Sequence, residues 1–298
     1  MAKQTKKLEW TAIERRVAQA AQDAEDLIVR LNVRATPVDP VAIAHTEGKL
    51  LRLCPGNYKN AFDGRLEYLR ERQRFLCYYN TKYDHANGGE HAPRTRFSLS
   101  HELGHFFIES HHEYLRSGGR CHSSKSEFLI ATPVERQADA FAARLLMPDR
   151  LICPLVNQEE LSVGMIADLA RTFRTSFVAT AMRTVECTHF YCAVAAIRDG
   201  GVAWMRRSAP LVERGVYPGE LGPVQSAGAR AAWNAFQDGA SVIAERPGWA
   251  RDWFRIYDDD LRARLPVIEQ YLPARILKTL LVVITVPEDE LLQDDEAD

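Results

Sequence analysis

The sequence predicts an α+β fold, and three observations indicate it. Apolar residues recur every three or four positions over residues 8–31, which is typical of an amphipathic helix. The stretches KLLRLC, AFDGRLEYL and QRFLCYYN, between residues 49 and 80, have the composition of three short strands. Two further helices are predicted over residues 94–109 and 134–147, the second of which ends at a proline.

The remaining elements follow from turn and cap residues. Asp39 followed by Pro40 predicts a helix start, and Gly48 predicts the end of that helix. Residues 112–133 are rich in Gly and Ser and are predicted to form an exposed loop. Residues 160–186 predict two short helices around a turn near Arg174. Further along the chain, Asp199-Gly200-Gly201 predicts a hairpin turn, and near the C-terminus TLLVVITV predicts a buried strand.

Composition and charge restrict the class of protein. The 298 residues carry a net charge of −2 and are 46% hydrophobic, which is ordinary for a globular chain and predicts neither non-specific nucleic-acid binding nor a membrane partner. No apolar run approaches the length of about 18 residues that a membrane span requires. The basic N-terminus has no apolar run behind it, so no secretory signal is expected. Six scattered cysteines predict free thiols in a reducing cytoplasm.

The stretch RFSLSHELGHFFIES, residues 96–110, holds two histidines four positions apart. On a helix, His101 and His105 share one face and can present both imidazoles to one metal ion. Glu102 flanks these ligands without having to bind the metal. Two nitrogen ligands with an adjacent carboxylate are what a zinc hydrolase requires, although the motif alone also fits an ordinary amphipathic helix.

A second helix, VERQADAFAARLLMP, favours the metal site. Its apolar face is expected to pack on the HELGH helix, which makes Glu135 the best candidate for a third ligand. Asp139 lies one turn further along, where its carboxylate can accept the free N–H of a ligand histidine. His112 and His122 border the site and are weak candidates for binding an oxyanion. Most of the other histidines, including His111, are predicted to be exposed polar residues.

These motifs together resemble the ImmA/IrrE family of zinc metallopeptidases over roughly residues 37–150. RFSLSHELGHFF is similar to the core motif of that family, VERQADAFAARLLMP to its second motif, and FDGRLEY with RFLCYYN to the strands before the active-site helix. The resemblance implies zinc bound by His101, His105 and Glu135, with Glu102 as general base; Mn²⁺ or Fe²⁺ would suit the same donors. It implies a gluzincin-like α/β domain with a short sheet over the active-site helix. It also implies a protein substrate, a helix-turn-helix repressor, whose cleavage switches on a stress or mobile-element response; other members act as toxin–antitoxin partners.

The predicted organisation therefore has five segments. A zinc peptidase domain over residues 37–155 follows an N-terminal helix at 1–36. A helix-turn-helix-like segment follows at 156–187, and it is expected to dock or support rather than bind DNA, because its charges are mixed. A small α/β domain is predicted at 188–286, with a GAF-like sensor as one interpretation, and an acidic disordered tail follows at 287–298. Two rival functions remain: a DNA-binding regulator with a non-catalytic zinc site, and a module that sequesters a repressor without cutting it.

Overall fold

The computed structural model describes residues 2–84, 90–120, 123–124, 132–258 and 264–287. The predicted acidic tail and His122 lie outside these residues, apart from Pro287. Contacts divide the chain into two compact units. The first consists of residues 1–151 with 171–176, and the second of residues 152–170 with 177–298. The N-terminal helix thus falls within the first unit, whereas the sequence predicts it as a separate segment.

The first unit combines helices with a four-stranded sheet. Its elements are α1 (Ala2–Arg30), α2 (Pro40–His45), β1 (Leu51–Gly56), β2 (Gly64–Leu69), β3 (Arg74–Asn80), α3 (Pro93–Phe107), α4 (Glu109–Arg116), β4 (Ser123–Ser124) and α5 (Pro133–Leu146).

The sheet of this unit has the order β1-β3-β2-β4. β1 runs parallel to β3, whereas β2 is antiparallel to both β3 and β4. The pairing with β4 involves only Gly64 and Arg65 of β2. α3 packs against β2 and β3, so the sheet covers one side of this helix and thereby fixes the position of its histidines.

The core of the first unit explains the helical periodicity of the N-terminal segment. Ala20, Ala24 and Leu27 are buried on one face of α1, which packs on α5. α5 packs in turn on α3, where Leu99 and Leu103 are fully buried. Burial of apolar side chains at helical spacing is the main source of stability for helices of this length.

Asp84 holds the start of α3 in place. Its Oδ1 accepts hydrogen bonds from the N–H of Ala92, at 2.8 Å, and from the hydroxyl of Thr95, at 2.7 Å. Its Oδ2 lies 2.7 Å from Nδ1 of His91. Burial alone would raise the pKa of Asp84, but these hydrogen bonds outweigh it and lower the pKa below its ordinary value.

We expect Asp84→Ala to lower the free energy of unfolding by about 2 kcal/mol at pH 7, because buried donors at the start of α3 lose their acceptor. A carboxylate with a depressed pKa in the folded state stabilises fully above its unfolded pKa, and this contribution is lost as the pH falls through the folded pKa. The difference in the free energy of unfolding between the wild type and Asp84→Ala should therefore persist from neutral pH down to about pH 4 and shrink only below it. Urea denaturation measures this difference. Equal stability of the two proteins at pH 7 would contradict this role of Asp84.

The second unit contains an antiparallel six-stranded sheet. The elements that lie wholly or mostly in it are α6 (Asp149–Val156), α7 (Val163–Phe173), α8 (Phe177–Cys187), β5 (Cys192–Arg198), β6 (Gly201–Arg207), α9 (Ala209–Glu213), β7 (Val216–Pro218), β8 (Gly222–Pro223), α10 (Ala227–Gln237), β9 (Arg246–Trp249), β10 (Phe254–Ile256), β11 (Pro266–Ala274) and β12 (Thr279–Thr285). The sheet order is β8-β6-β5-β12-β11-β9, and β7 pairs separately with β10. β12 is buried along its whole length, as its continuous apolar sequence predicts.

A buried carboxylate connects α10 to this sheet. Glu269 of β11 is 0% exposed and accepts hydrogen bonds from the hydroxyl of Ser226, at 2.7 and 2.9 Å, and from Nε1 of Trp253, at 2.7 Å. The hydroxyl of Tyr271 donates to the same carboxylate, and burial together with this bond raises the pKa of Tyr271. Ser226 also caps α10 by accepting the N–H of Ala229. The donors compensate for the burial of a polar group, so we interpret this cluster as structural.

Most of the predicted elements are confirmed. The three strands between residues 49 and 80, the two helices of the first unit, the hairpin and the C-terminal strand are all present. Arg174 adopts a positive φ of 52° between α7 and α8, so a residue other than glycine makes that turn. The prediction of a loop over residues 112–133 is wrong in its first part, because α4 continues to Arg116. Among the described residues, no helix combines the length and the apolar character needed to cross a bilayer.

Candidate metal centre

α3 places the two histidines of HELGH on one face. Nε2 of His101 and Nε2 of His105 lie 3.2 Å apart, and both side chains are at least nine-tenths buried. The local reason is the helical spacing predicted from the sequence, since positions i and i+4 are neighbours on a helix surface. α3 itself is held by the sheet on one side and by α5 on another.

α5 brings two carboxylates to these histidines. A carboxylate oxygen of Glu135 lies 3.1 Å from Nε2 of His101, and the other lies 3.6 Å from Nε2 of His105. Asp139 accepts from Nδ1 of His101 at 2.8 Å. The close approach of the helices depends on Gly104, because a Cβ at that position would lie 3.1 Å from the Cα of Ala138. This contact gives a physical reason for the glycine in HELGH.

The donor atoms of His101, His105 and Glu135 fit a zinc ion. They all lie within 4.8 Å of one another. In a tetrahedral site with bonds of about 2.0–2.1 Å, neighbouring ligand atoms are separated by about 3.3 Å. The separations of 3.1, 3.2 and 3.6 Å are close to this value. The two nitrogens and one oxygen are also donor types that zinc prefers.

The electrostatics of the site favour a cation. Burial disfavours the charged form of His101, but the hydrogen bonds to Asp139 and Glu135 and the negative charge of Glu102 outweigh burial and raise the pKa of His101 to about 10. In the metal-free chain the imidazole of His101 is therefore protonated and carries the positive charge at this position. Binding of a divalent cation would satisfy the same carboxylates and release that proton.

Glu102 is 1% exposed and lies against the edge of β2. A Cβ built on Gly64 would come within 2.5 Å of Oε1 of Glu102 and within 2.8 Å of its Cγ. The absence of a side chain at residue 64 thus provides the space for the Glu102 carboxylate. Burial, and secondarily the charge of Glu102, raises the pKa of Cys77 well above its ordinary value, so this neighbouring residue stays a neutral thiol.

We expect Gly64→Ala to displace the carboxylate of Glu102, because the atoms that a new methyl group would meet are the end of a flexible side chain. A displacement of about 1 Å at a reacting group can lower the rate about a hundredfold. In the general-base role that the family resemblance implies for Glu102, the rate of peptide cleavage should fall accordingly, while zinc content, measured by emission spectrometry, stays at the wild-type level. Unchanged efficiency in Gly64→Ala would contradict the assigned position of Glu102.

The histidines after HELGH differ from the prediction. His111 is buried, with 6% of its surface exposed, whereas an exposed residue was predicted. Its Nδ1 lies 3.1 Å from Nδ1 of His105. Burial lowers the pKa of His111, which keeps its ring neutral. His112, a weak oxyanion candidate, donates to the carbonyl of Phe106 at 2.8 Å and contacts the ring of Phe75 at a centroid distance of 4.5 Å. His112 is thus engaged in a structural contact of α4.

A cleft of about 1190 Å³ lies beside the centre. Glu102, His105 and His111 line it together with residues of α1, β2, α4 and α5. The contribution of α1 is the feature that the sequence reasoning missed. Its polar face borders the cleft with the residues Arg16, Gln19, Asp23, Asp26 and Arg30. Their recurrence every three or four positions, beside the apolar face, is the signal that could have indicated a second functional face on this helix.

A helix-borne His-Glu site on a mixed helix and sheet unit is typical of metallopeptidases. Comparison with known proteins gives the particular family: residues 63–185 match the IrrE N-terminal-like domain family of peptidases. This confirms the resemblance to the ImmA/IrrE family. The matched residues include both the HELGH helix and the Glu135 helix, and they continue into α8 as far as residue 185.

A solved structure of a Mycobacterium tuberculosis transcriptional regulator is similar to this chain, with a TM-score of 0.56 and 11% sequence identity. The similarity covers 94% of this chain and 79% of that one. At this identity the similarity concerns the fold alone. No curated protein sequence matches the chain.

Proposed function

We propose that the protein is a zinc-dependent endopeptidase. The observation that carries this proposal is the convergence of His101, His105 and Glu135 on one point beside the buried carboxylate of Glu102. A purely structural metal site needs four protein ligands and no neighbouring base. Here the structure groups three donors, and the cleft reaches Glu102 and His105.

Glu102 acts as the general base in this proposal. Zinc, when bound, lowers the pKa of a water molecule and polarises the substrate carbonyl. Glu102 accepts the proton of the attacking water and later transfers it to the leaving amine. Gly64 keeps space for this carboxylate, and Asp139 orients His101 through its Nδ1.

The proposed substrate is a protein in an extended conformation. The cleft, at about 1190 Å³, exceeds the range of about 300–1,000 Å³ that is usual for small-molecule pockets. β4 already pairs with β2 at Gly64 and Arg65. Within the described residues, the outer edge of β2 from Leu66 to Leu69 has no strand partner, so a substrate strand could pair there by β-augmentation.

A helix-turn-helix repressor is the substrate that the family resemblance supports, and its cleavage would switch on a stress or mobile-element response. The gluzincin-like architecture belongs to the same proposal. It is supported by the packing of α3 between the sheet and α5. The same donors could also bind Mn²⁺ or Fe²⁺, although two imidazoles and one carboxylate suit zinc well.

A DNA-binding regulator is the second candidate. It is favoured by the pair α7 and α8 joined at Arg174, and the similarity in fold to the Mycobacterium tuberculosis transcriptional regulator is compatible with it. The side chains of α8 argue against it. Arg183 is 2% exposed and pairs with Glu186 at 2.6 Å, and Glu186 is the one residue of α8 that is exposed. A groove-reading helix normally offers exposed basic side chains, so we favour a supporting role for α8.

The test is incubation of the zinc-loaded protein with a purified helix-turn-helix repressor encoded beside its gene. We expect one specific cut, located by mass spectrometry of the fragments. Cleavage in a proteome-derived peptide library but not in the repressor would retain the endopeptidase and remove the proposed substrate class. No cleavage in either, with zinc bound, would overturn the proposed function.

A further inference from the structure

We propose that His111 is a positioning residue of the metal centre, which accepts a hydrogen bond from His105 and so fixes the tautomer and the ring orientation of that ligand. The inference rests on the proposed function, because it assumes that His105 binds a metal. It assigns a role to a residue that the HExxH and ExxxD motifs do not include.

The two ring nitrogens of His105 face different partners. Its Nε2 lies 3.2 Å from Nε2 of His101 and 3.6 Å from the carboxylate of Glu135. Its Nδ1 lies 3.1 Å from Nδ1 of His111. A neutral imidazole that binds a metal through Nε2 carries its proton on Nδ1. Nδ1 of His105 is therefore the donor, and Nδ1 of His111 must be the acceptor.

His111 is not a fourth ligand in this arrangement. It contacts the nitrogen of His105 that points away from the other two donors. The group of side chains whose donor atoms converge consists of His101, His105 and Glu135. The hydrogen bond thus acts on the metal through His105 alone.

The contact completes a symmetrical pattern. Asp139 accepts from Nδ1 of His101 at 2.8 Å, so each ligand histidine has a partner on the nitrogen that faces away from the metal position. Such partners orient metal-binding imidazoles and raise their basicity.

The path of the chain explains how His111 reaches its position. α3 ends at Phe107, and Ile108 has an extended backbone with ψ of 113°, after which α4 begins. This break redirects the chain so that the first turn of α4 brings His111 beside His105. Leu115, one turn later, is also buried, which holds the same face of α4 inward.

The other nitrogen of His111 supports a specific role for the ring. If Nδ1 accepts, Nε2 carries the proton, and in the described part of the chain this buried atom has no hydrogen-bond partner. An unsatisfied buried donor costs about 1–3 kcal/mol, which an apolar side chain of similar size would avoid. Packing alone therefore does not account for a histidine here.

The experiment compares His111→Leu with His111→Asn in the full chain. The two side chains have the same shape, but only asparagine places an acceptor oxygen where Nδ1 of His111 lies. Zinc affinity is measured by competition with a chelator at one pH, and the absorption spectrum of the Co²⁺-loaded protein reports ligand geometry. We expect His111→Leu to bind zinc about 10–100-fold more weakly and to change the Co²⁺ spectrum, whereas His111→Asn keeps most of the affinity.

His112→Leu is the matched control. His112 lies on the same helix and contacts Phe106 and Phe75 without touching a ligand, so its loss should lower stability but not zinc affinity. Wild-type affinity in His111→Leu would overturn the inference, as would equal losses in the leucine and asparagine variants. A wild-type chain that binds no zinc would overturn both the inference and the proposed function. Failure of the inference alone is recognised by a wild-type chain that binds zinc and a His111→Leu variant that binds it equally well.

Discussion

Glu102→Gln is expected to abolish peptide cleavage while the protein still binds zinc. The amide has the shape of the carboxylate and fits the same space against Gly64, but it cannot accept the proton of the attacking water. Loss of a general base lowers rates by about 10²–10⁴-fold. The measurement is the rate of cleavage at saturating zinc, together with the zinc content of the variant by emission spectrometry.

Glu113→Gln is the matched control for this variant. Glu113 is an exposed acidic residue of α4 that is not among the residues lining the cleft and contributes no donor to the proposed centre. The same chemical change at Glu113 should leave cleavage near the wild-type rate. Cleavage by Glu102→Gln at the wild-type rate would show that Glu102 is not the general base.

The grouping of the proposed metal ligands could be predicted from the sequence because their spatial relation is mostly local. The spacing of His101 and His105 fixes their common face as soon as a helix forms, and the same holds for Glu135 and Asp139. What remained was one long-range contact between two helices. The apolar face of α5 indicated this contact, and Gly104 now explains how closely the helices approach.

The position of His111 beside His105 could not be predicted from the sequence. Its position depends on a break at Ile108 that redirects the chain, and the stretch after HELGH has no proline or glycine that would mark a break there. The same limit applies to Gly64, whose contact with Glu102 joins a strand and a helix that lie far apart in sequence. Strand order β1-β3-β2 and the cleft-facing side of α1 likewise result from tertiary packing that periodicity alone does not determine.

His101→Ala is expected to remove zinc from the protein, with a fall from about one zinc per chain to almost none. His101 contributes one of three protein donors and also connects the site to Asp139, so its loss removes a ligand and leaves that carboxylate without its partner. Glu135→Gln should behave similarly, since a neutral amide is a poor zinc ligand. Metal content by emission spectrometry checks both variants.

His45→Ala is the control, because His45 is an exposed histidine at the end of α2. A chelator should lower the melting temperature of the wild-type protein and of His45→Ala, since a ligand that binds only the folded state stabilises it. His101→Ala, already metal-free, should not respond. A full complement of zinc in His101→Ala would place the metal elsewhere in the chain, and the loss of cleavage in Glu102→Gln would then need another explanation. Zinc lost in His101→Ala but retained in Glu102→Gln would instead separate binding from catalysis within one turn of α3.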